Sequence, residues 1–176
     1  MIFTPTSIDG MFYIDLEPRI DERGYFTRMF AQEEFDKAKI DFKMVQTNQA
    51  YTKTKGMLRG LHWQTAPKLE AKVFQCISGE IFDVVADTRP DSPTFGKWVG
   101  TKLEGDKFRL LYVPGGLAHG YQTLTDNCKV QYMVSEFYSP EYEKGFRWND
   151  PFFKIEWPMA PTFVSEKDSS LPDFTK

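Results

Sequence analysis

Residues 72–87 constrain the fold more than any other stretch. They read Lys-Val-Phe-Gln-Cys-Ile, then Ser78-Gly79, then Glu-Ile-Phe-Asp-Val-Val-Ala-Asp. Two runs of β-branched and aromatic residues around a two-residue turn predict a hairpin, with strands Lys72–Ile77 and Glu80–Asp87. In that register Ile77 pairs with Glu80 and Phe74 falls opposite Asp83. Alternation then puts Lys72, Phe74, Asp83 and Val85 on one face of the sheet. A lysine and an aspartate on an otherwise apolar face require each other or a ligand. The pattern therefore marks that face as the floor of a pocket.

The rest of the chain repeats the theme. Strand-like segments run over 11–16, 25–30, 45–52, 97–103, 109–113, 120–124 and 129–136, punctuated by Asp21-Glu22-Arg23-Gly24, Pro114-Gly115-Gly116 and Asp126-Asn127. Many short strands, frequent Gly/Pro turns and few helical patterns predict an all-β sandwich or barrel. The helical signals are small. Ala31–Lys39 carries Glu33 and Lys37 at i,i+4, Ser139-Pro140-Glu141 opens a short turn, and Ser165-Glu166-Lys167-Asp168 has capping-box character. Trp148, Phe152, Phe153 and Trp157 predict that the chain beyond Ser139 packs over the sandwich. Sixteen phenylalanines and eight tyrosines fit either an aromatic core or a ring-stacking pocket. With 176 residues and no repeat or linker, residues 1–176 read as one domain.

Several function classes drop out on composition. The formal net charge is −3 and no basic block occurs, which argues against nucleic acid as a partner. The N-terminal residues lack the charged and apolar regions of a signal peptide. No apolar stretch approaches the ~18 residues of a membrane span. Cys76 and Cys128 make no disulfide framework and read as reduced thiols in a cytoplasmic protein.

Only two histidines are present, His62 and His119. An unperturbed imidazole, with a pKa of ~6.5, exchanges protons near neutrality, so proton-transfer chemistry would centre on one of them. They lie in Gly56-x-x-x-Gly60-x-His62-x-Gln64 and Pro114-x-Gly116-x-x-His119. These segments resemble the metal-binding segments of a cupin-type jelly roll, although each supplies one histidine where a metal cupin has more. A three-histidine site is impossible within the chain. Counting alone leaves open a site of two histidines and one carboxylate, Glu70 or Glu80.

A more specific resemblance spans most of the chain. Asp21-Glu22-Arg23-Gly24-Tyr25-Phe26, Gln46-x-Asn48, Leu58-Arg59-Gly60-Leu61-His62, Lys72 and Gly79-Glu80-Ile81-Phe82-Asp83-Val84 occur in order. Asp91-Ser92-Pro93-Thr94-Phe95-Gly96, Ala118-His119-Gly120, Tyr132, Phe137-Tyr138-Ser139-Pro140-Glu141, Arg147-Trp148-Asn149-Asp150-Pro151 and Ser165-Glu166-Lys167-Asp168 follow. Together they resemble the dTDP-4-dehydrorhamnose 3,5-epimerase family. The resemblance implies a cupin-type jelly-roll homodimer with a few short peripheral helices. It would epimerise a nucleotide-diphosphate 4-keto sugar, dTDP-linked first among them, beside the C4 ketone and without metal or organic cofactor.

The same resemblance implies roles. His62 matches the base, Asp168 the carboxylate that orients it, Lys72 the cation facing the developing oxyanion, and Tyr132 the proton donor on the opposite sugar face. Arg23, Arg59 and Lys167 match phosphate contacts. Gln46, Asn48 and Glu143 match sugar or base contacts, Tyr138 an aromatic that stacks on the pyrimidine, and His119 a substrate contact. Each has a structural alternative: Asp168 could simply cap a helix, Lys72 could guard a strand edge, and Tyr132 could be a buried phenol with a bonded hydroxyl. Arg59 and His62 differ in strand parity, so bringing both to one pocket requires a bulge at Gly60. The chain departs from the family pattern at Thr27-Arg28, Lys68-Leu69-Glu70 and Met133. A sugar-nucleotide 3,4-ketoisomerase, a non-catalytic cupin that binds nucleotide sugars and a metal-dependent oxygenase are the alternatives.

Overall fold

A computed structural model describes residues 1–176. In chain order the strands are β1 (Ile2–Pro5), β2 (Phe12–Asp15), β3 (Arg19–Asp21), β4 (Gly24–Phe26), β5 (Gln46–Thr52), β6 (Met57–Gln64) and β7 (Lys72–Ser78). There follow β8 (Glu80–Asp87), β9 (Trp98–Glu104), β10 (Arg109–Val113), β11 (Leu117–Thr123), β12 (Cys128–Val134), β13 (Glu143–Gly145) and β14 (Phe163–Val164). Helix α1 is Gln32–Lys37, α2 is Glu166–Ser169, and Pro140–Tyr142 forms a 3-10 turn. The fold is all-β, as the turn spacing predicts. One sheet runs β1-β2-β10-β7-β12-β5 and the other β13-β6-β11-β8-β9, while β3 and β4 form a separate ribbon.

The predicted hairpin is not a ladder. β7 pairs with β10 and β12, whereas β8 pairs with β9 and β11 in the other sheet. Ser78-Gly79 is therefore a corner that carries the chain across the sandwich. Gly79 has φ +78°, and a Cβ there would lie 2.7 Å from Thr125 Oγ1 and 2.8 Å from Cys128 Sγ. Phe74 sits opposite Leu111 and Tyr132, and Asp83 opposite Tyr121 and Thr101. The inward alternation of each strand survives this correction. Lys72 and Asp83, however, find different partners.

Both faces of each sheet are covered. Phe74, Leu111 and Val130 of one sheet meet Ile81, Val85 and Tyr121 of the other between the layers. On the opposite faces of the same strands, Val73, Leu110 and Met133 point outward beneath Phe35 and Phe42. Val84, Ala86 and Leu61 point outward beneath Phe146, Phe153 and Ile155 of the C-terminal segment. Two-sided burial explains why β7, β8 and β10 read as near-continuous apolar runs. Six-residue α1 is too short to persist alone. It is held by Phe35, whose burial contributes roughly 1.5–3 kcal/mol, and by the Lys37–Glu33 pair at 2.6 Å.

The strand expected over 25–30 stops at Phe26, because Met29 and Phe30 turn inward onto the cluster around Phe35. No helix is long and apolar enough to cross a membrane.

Candidate active site

Between the sheets, where the central core gives way to polar residues, lies a cavity of about 620 Å³, within the range of small-ligand sites. β5, β7 and β12 supply one wall, β6 and β11 the other, and α2 closes one side. Arg59, His62, Lys72, His119, Tyr132 and Asp168 all line it, as do Gln46, Asn48, Tyr138, Glu143 and Lys167.

The predicted bulge at Gly60 is present. His119 pairs with His62 and Tyr121 with Arg59, so three steps on β6 span two on β11. Gly60 has φ +103°, and a Cβ there would sit 2.7 Å from Gly120 Cα and from the His119 carbonyl oxygen. Glycine is thus the residue that lets the strands stay in contact while Arg59 and His62 both reach the cavity.

Asp168 serves two purposes with different atoms. Its backbone N–H donates to Ser165 Oγ at 3.1 Å, capping α2. Its buried carboxylate places Oδ1 2.8 Å from His62 Nε2, and Oδ2 accepts from Gly60 N–H at 3.2 Å. The imidazole contact is close but out of line for a directed hydrogen bond, which leaves Nε2 without a linear partner. Burial alone would raise the Asp168 carboxyl. The adjoining His62 and the Gly60 and Ser165 contacts outweigh it and hold the group below the usual carboxylate range.

His119 has its own carboxylate: Nε2 lies 2.7 Å from Asp83 Oδ2, and the ring meets Phe74 edge-on at 4.6 Å. Lys72 pairs instead with Glu70 at 3.1 Å. Glu80 reaches Lys102 at 3.0 Å. The two imidazoles therefore do not converge with Glu70 or Glu80, and no three His, Cys, Asp or Glu side chains come together as a metal-ligand group.

Tyr132 stacks on Phe74 with ring centres 5.8 Å apart and planes 25° apart. Its hydroxyl bonds to no group of the chain, in contrast to the bonded-phenol alternative. Burial first, and then the negative charge of Glu70, push the phenol above its ordinary value, with Arg59 opposing.

At the cavity mouth, Glu143 Oε2 accepts from Lys167 Nζ at 2.6 Å and from Tyr138 hydroxyl at 3.0 Å. Burial would raise the Glu143 carboxyl, but these contacts and the nearby His62 lower it. Gln46 Nε2 donates to Asn48 Oδ1 at 2.7 Å, and Arg59 Nε to Thr52 Oγ1 at 3.3 Å.

Arg23 is not in this cavity. It sits at the exposed tip of the β3–β4 ribbon, paired with Asp21. Of the positions that depart from the family pattern, Arg28 pairs outside the cavity with Glu34 at 3.5 Å, Met133 packs in the outer cluster, and Glu70 alone faces the site.

Sequence reasoning gives Asp83 to Lys72 where the structure gives it to His119, and it misses Glu70 as the partner of Lys72 and Gln64 as a site residue. The buried Gln64 amide donates to the carbonyls of Lys68 at 2.9 Å and Phe137 at 3.2 Å and accepts from Ser139 N–H at 2.6 Å. It ties together the two loops that carry Glu70 and Tyr138. Its spacing of two from His62 was the available signal.

Residues 5–176 match the family model described as dTDP-4-dehydrorhamnose 3,5-epimerase. The chain belongs to that family. A dTDP-4-dehydrorhamnose 3,5-epimerase of Shigella flexneri is 44% identical over 157 residues, covering 86% of this chain and 85% of the relative. The Salmonella typhimurium epimerase is 39% identical over 178 residues, covering 98% and 94%. Among solved structures, the Bacillus anthracis epimerase with TDP and PPi bound superposes with a TM-score of 0.95 at 36% identity, covering 98% and 99% of the two chains. The Legionella pneumophila epimerase in complex with dTDP-4-keto-L-rhamnose gives 0.90 at 33% identity and 99% of both chains. These epimerases share the jelly-roll sandwich of the chain, and the chain, like them, is an isomerase of the 3,5-epimerase type.

Proposed function

We propose that His62 and Tyr132 act as base and acid on opposite faces of a dTDP-linked 4-keto-6-deoxyhexose, in the 3,5-epimerisation that serves rhamnose-type deoxysugar synthesis. The observation that carries this reading is that both side chains open into one cavity, with Asp168 behind the imidazole and Lys72 beside the phenol.

A carbon acid next to a ketone is weak, so its removal needs a base in contact and a cation where the enolate charge appears. His62 takes the proton from C3 or C5, and the C–H pair of electrons moves onto O4, facing Lys72. Tyr132 then delivers its proton to the other face of the same carbon, inverting it. Exchange with solvent returns the imidazolium and phenolate to their starting states, and the second carbon follows.

Arg59 and Lys167 suit the diphosphate, Tyr138 the face of the pyrimidine, and Gln46, Asn48 and Glu143 sugar or base hydroxyls and amides. His119 contacts the sugar from the cavity floor. The exposed Ile20, Tyr25 and Phe26 of the β3–β4 ribbon support a homodimer in which a second copy covers that ribbon and brings Arg23 to a diphosphate. Light scattering on the purified protein tests this. Two free thiols, Cys76 and Cys128, support a reducing, cytoplasmic setting.

The decisive experiment is turnover of dTDP-4-keto-6-deoxyglucose in deuterated water, followed by NMR. Deuterium appears at both C3 and C5. Label confined to C3 overturns the double epimerisation, and undiminished labelling by His62→Asn overturns the base.

A further inference from the structure

Glu70 is a carboxylate facing the cavity without a part in the chemistry described so far. It lies two residues before Lys72 on the extended approach to β7, so both side chains leave the chain on the same side. Its Oε2 lies 3.1 Å from Lys72 Nζ, and both side chains are largely buried. Lys72 and Tyr132 in turn are neighbours on one sheet face, because Tyr132 pairs with Phe74 and Lys72 with Val134.

The charges around the phenol divide as follows. From β6 come Arg59 and His62, and from β11 His119 and Tyr121. Asp168 of α2 is engaged by His62, Asp83 by His119, and Glu143 by Lys167. β5 contributes uncharged Gln46, Asn48 and Gln49. Glu70 is therefore the carboxylate left to balance Lys72.

We propose that Glu70 is a positioning residue of the epimerase, aiming the Lys72 ammonium at the ketone oxygen and offsetting its charge beside Tyr132. The inference rests on Tyr132 being the acid. An unbalanced ammonium on a four-carbon stem has many rotamers, and it would favour the phenolate over the phenol. A phenol that has already lost its proton cannot complete the inversion. The carboxylate restrains the stem and keeps the acid loaded, in line with the raised Tyr132 titration, to which Glu70 contributes after burial.

The test compares the parent, Glu70→Gln, Glu70→Asp and the same proteins carrying Tyr132→Phe. Activity that needs a protonated phenol is lost as pH rises through its pKa, and removing a neighbouring anion lowers that pKa. Glu70→Gln therefore moves the alkaline limb of kcat to lower pH, with the change in kcat and not in KM. Glu70→Asp, which keeps the charge, restores the parent position of the limb. The ultraviolet phenolate signal, taken as the difference from each Tyr132→Phe counterpart to isolate one phenol among eight, moves to lower pH in Glu70→Gln.

An unmoved limb and an unmoved phenolate signal in Glu70→Gln, with Tyr132→Phe inactive, overturn the role of Glu70 and leave the acid assignment standing. A Tyr132→Phe protein with parent turnover overturns the acid assignment itself.

Discussion

The molecule carries the same chemical pair twice, an imidazole backed by a carboxylate, and the two copies are built differently. His119 and Asp83 come from neighbouring strands of one sheet, and their side chains are 6% and 0% exposed. His62 is 25% exposed while its partner Asp168 is 6% exposed, and that partner arrives from α2, far along the chain. The first pair is in line for a hydrogen bond at 2.7 Å. The second is a close contact out of line. A buried, well-aligned pair with a polar atom to spare, Asp83 Oδ1, holds a wall in place. A half-open pair steered by charge leaves its ring free to meet a substrate. Burial and alignment, more than residue type, separate the proposed base from the proposed binding residue.

Substitutions can break that contrast. The largest effect is expected for His62→Asn, which removes the proposed base and should lower kcat by ~10³-fold or more, whereas His119→Asn should act chiefly on KM. Steady-state kinetics on the two variants would show it, and equal kcat losses would erase the distinction. Asp168→Asn comes next, with kcat down at least ~10²-fold. Its thermal midpoint should move little, because the cap from Ser165 uses the backbone N–H. A large stability loss with normal kcat would make the Asp168 carboxylate a structural partner of Gly60 N–H and His62 with no part in the chemistry.

Asp83→Asn reverses the balance, costing about 1–3 kcal/mol of stability in urea titrations while kcat changes less than roughly tenfold. The smallest effect concerns acid. Asp168 is depressed in the folded protein, so its contribution is present above the ordinary carboxylate range and lost as pH falls through the folded value. Asp87 behaves likewise. Burial opposes its ionisation, but the Arg89, Ser92 and Thr94 contacts bring it to about 2. Stability should therefore decline on acidification towards that value, and Asp87→Asn should flatten the decline more than Asp168→Asn.

Much of this was legible in the sequence, and the exceptions have physical causes. Strand positions and inward parities followed from alternation, which a sandwich preserves whatever the pairing. The pairing of β7 with β8 was misread because a Ser-Gly turn between two apolar runs looks the same at a ladder and at a corner. What decides between them is the space around Gly79, filled by Thr125 and Cys128, and that is a long-range fact. Parity did reveal the bulge at Gly60, because Arg59 and His62 could not otherwise share a cavity. The Asp83–His119 pair was hidden by the assumed hairpin, which gave Asp83 to Lys72. Arg23 carried a motif but no positional signal, and the ribbon holds it away from the cavity.

The carboxylate behind His62 sits on α2, after every strand of both sheets has been made. The proposed base thus depends on a residue that belongs to neither sheet, so a substitution in α2 can disarm His62 while both sheets keep all their strands.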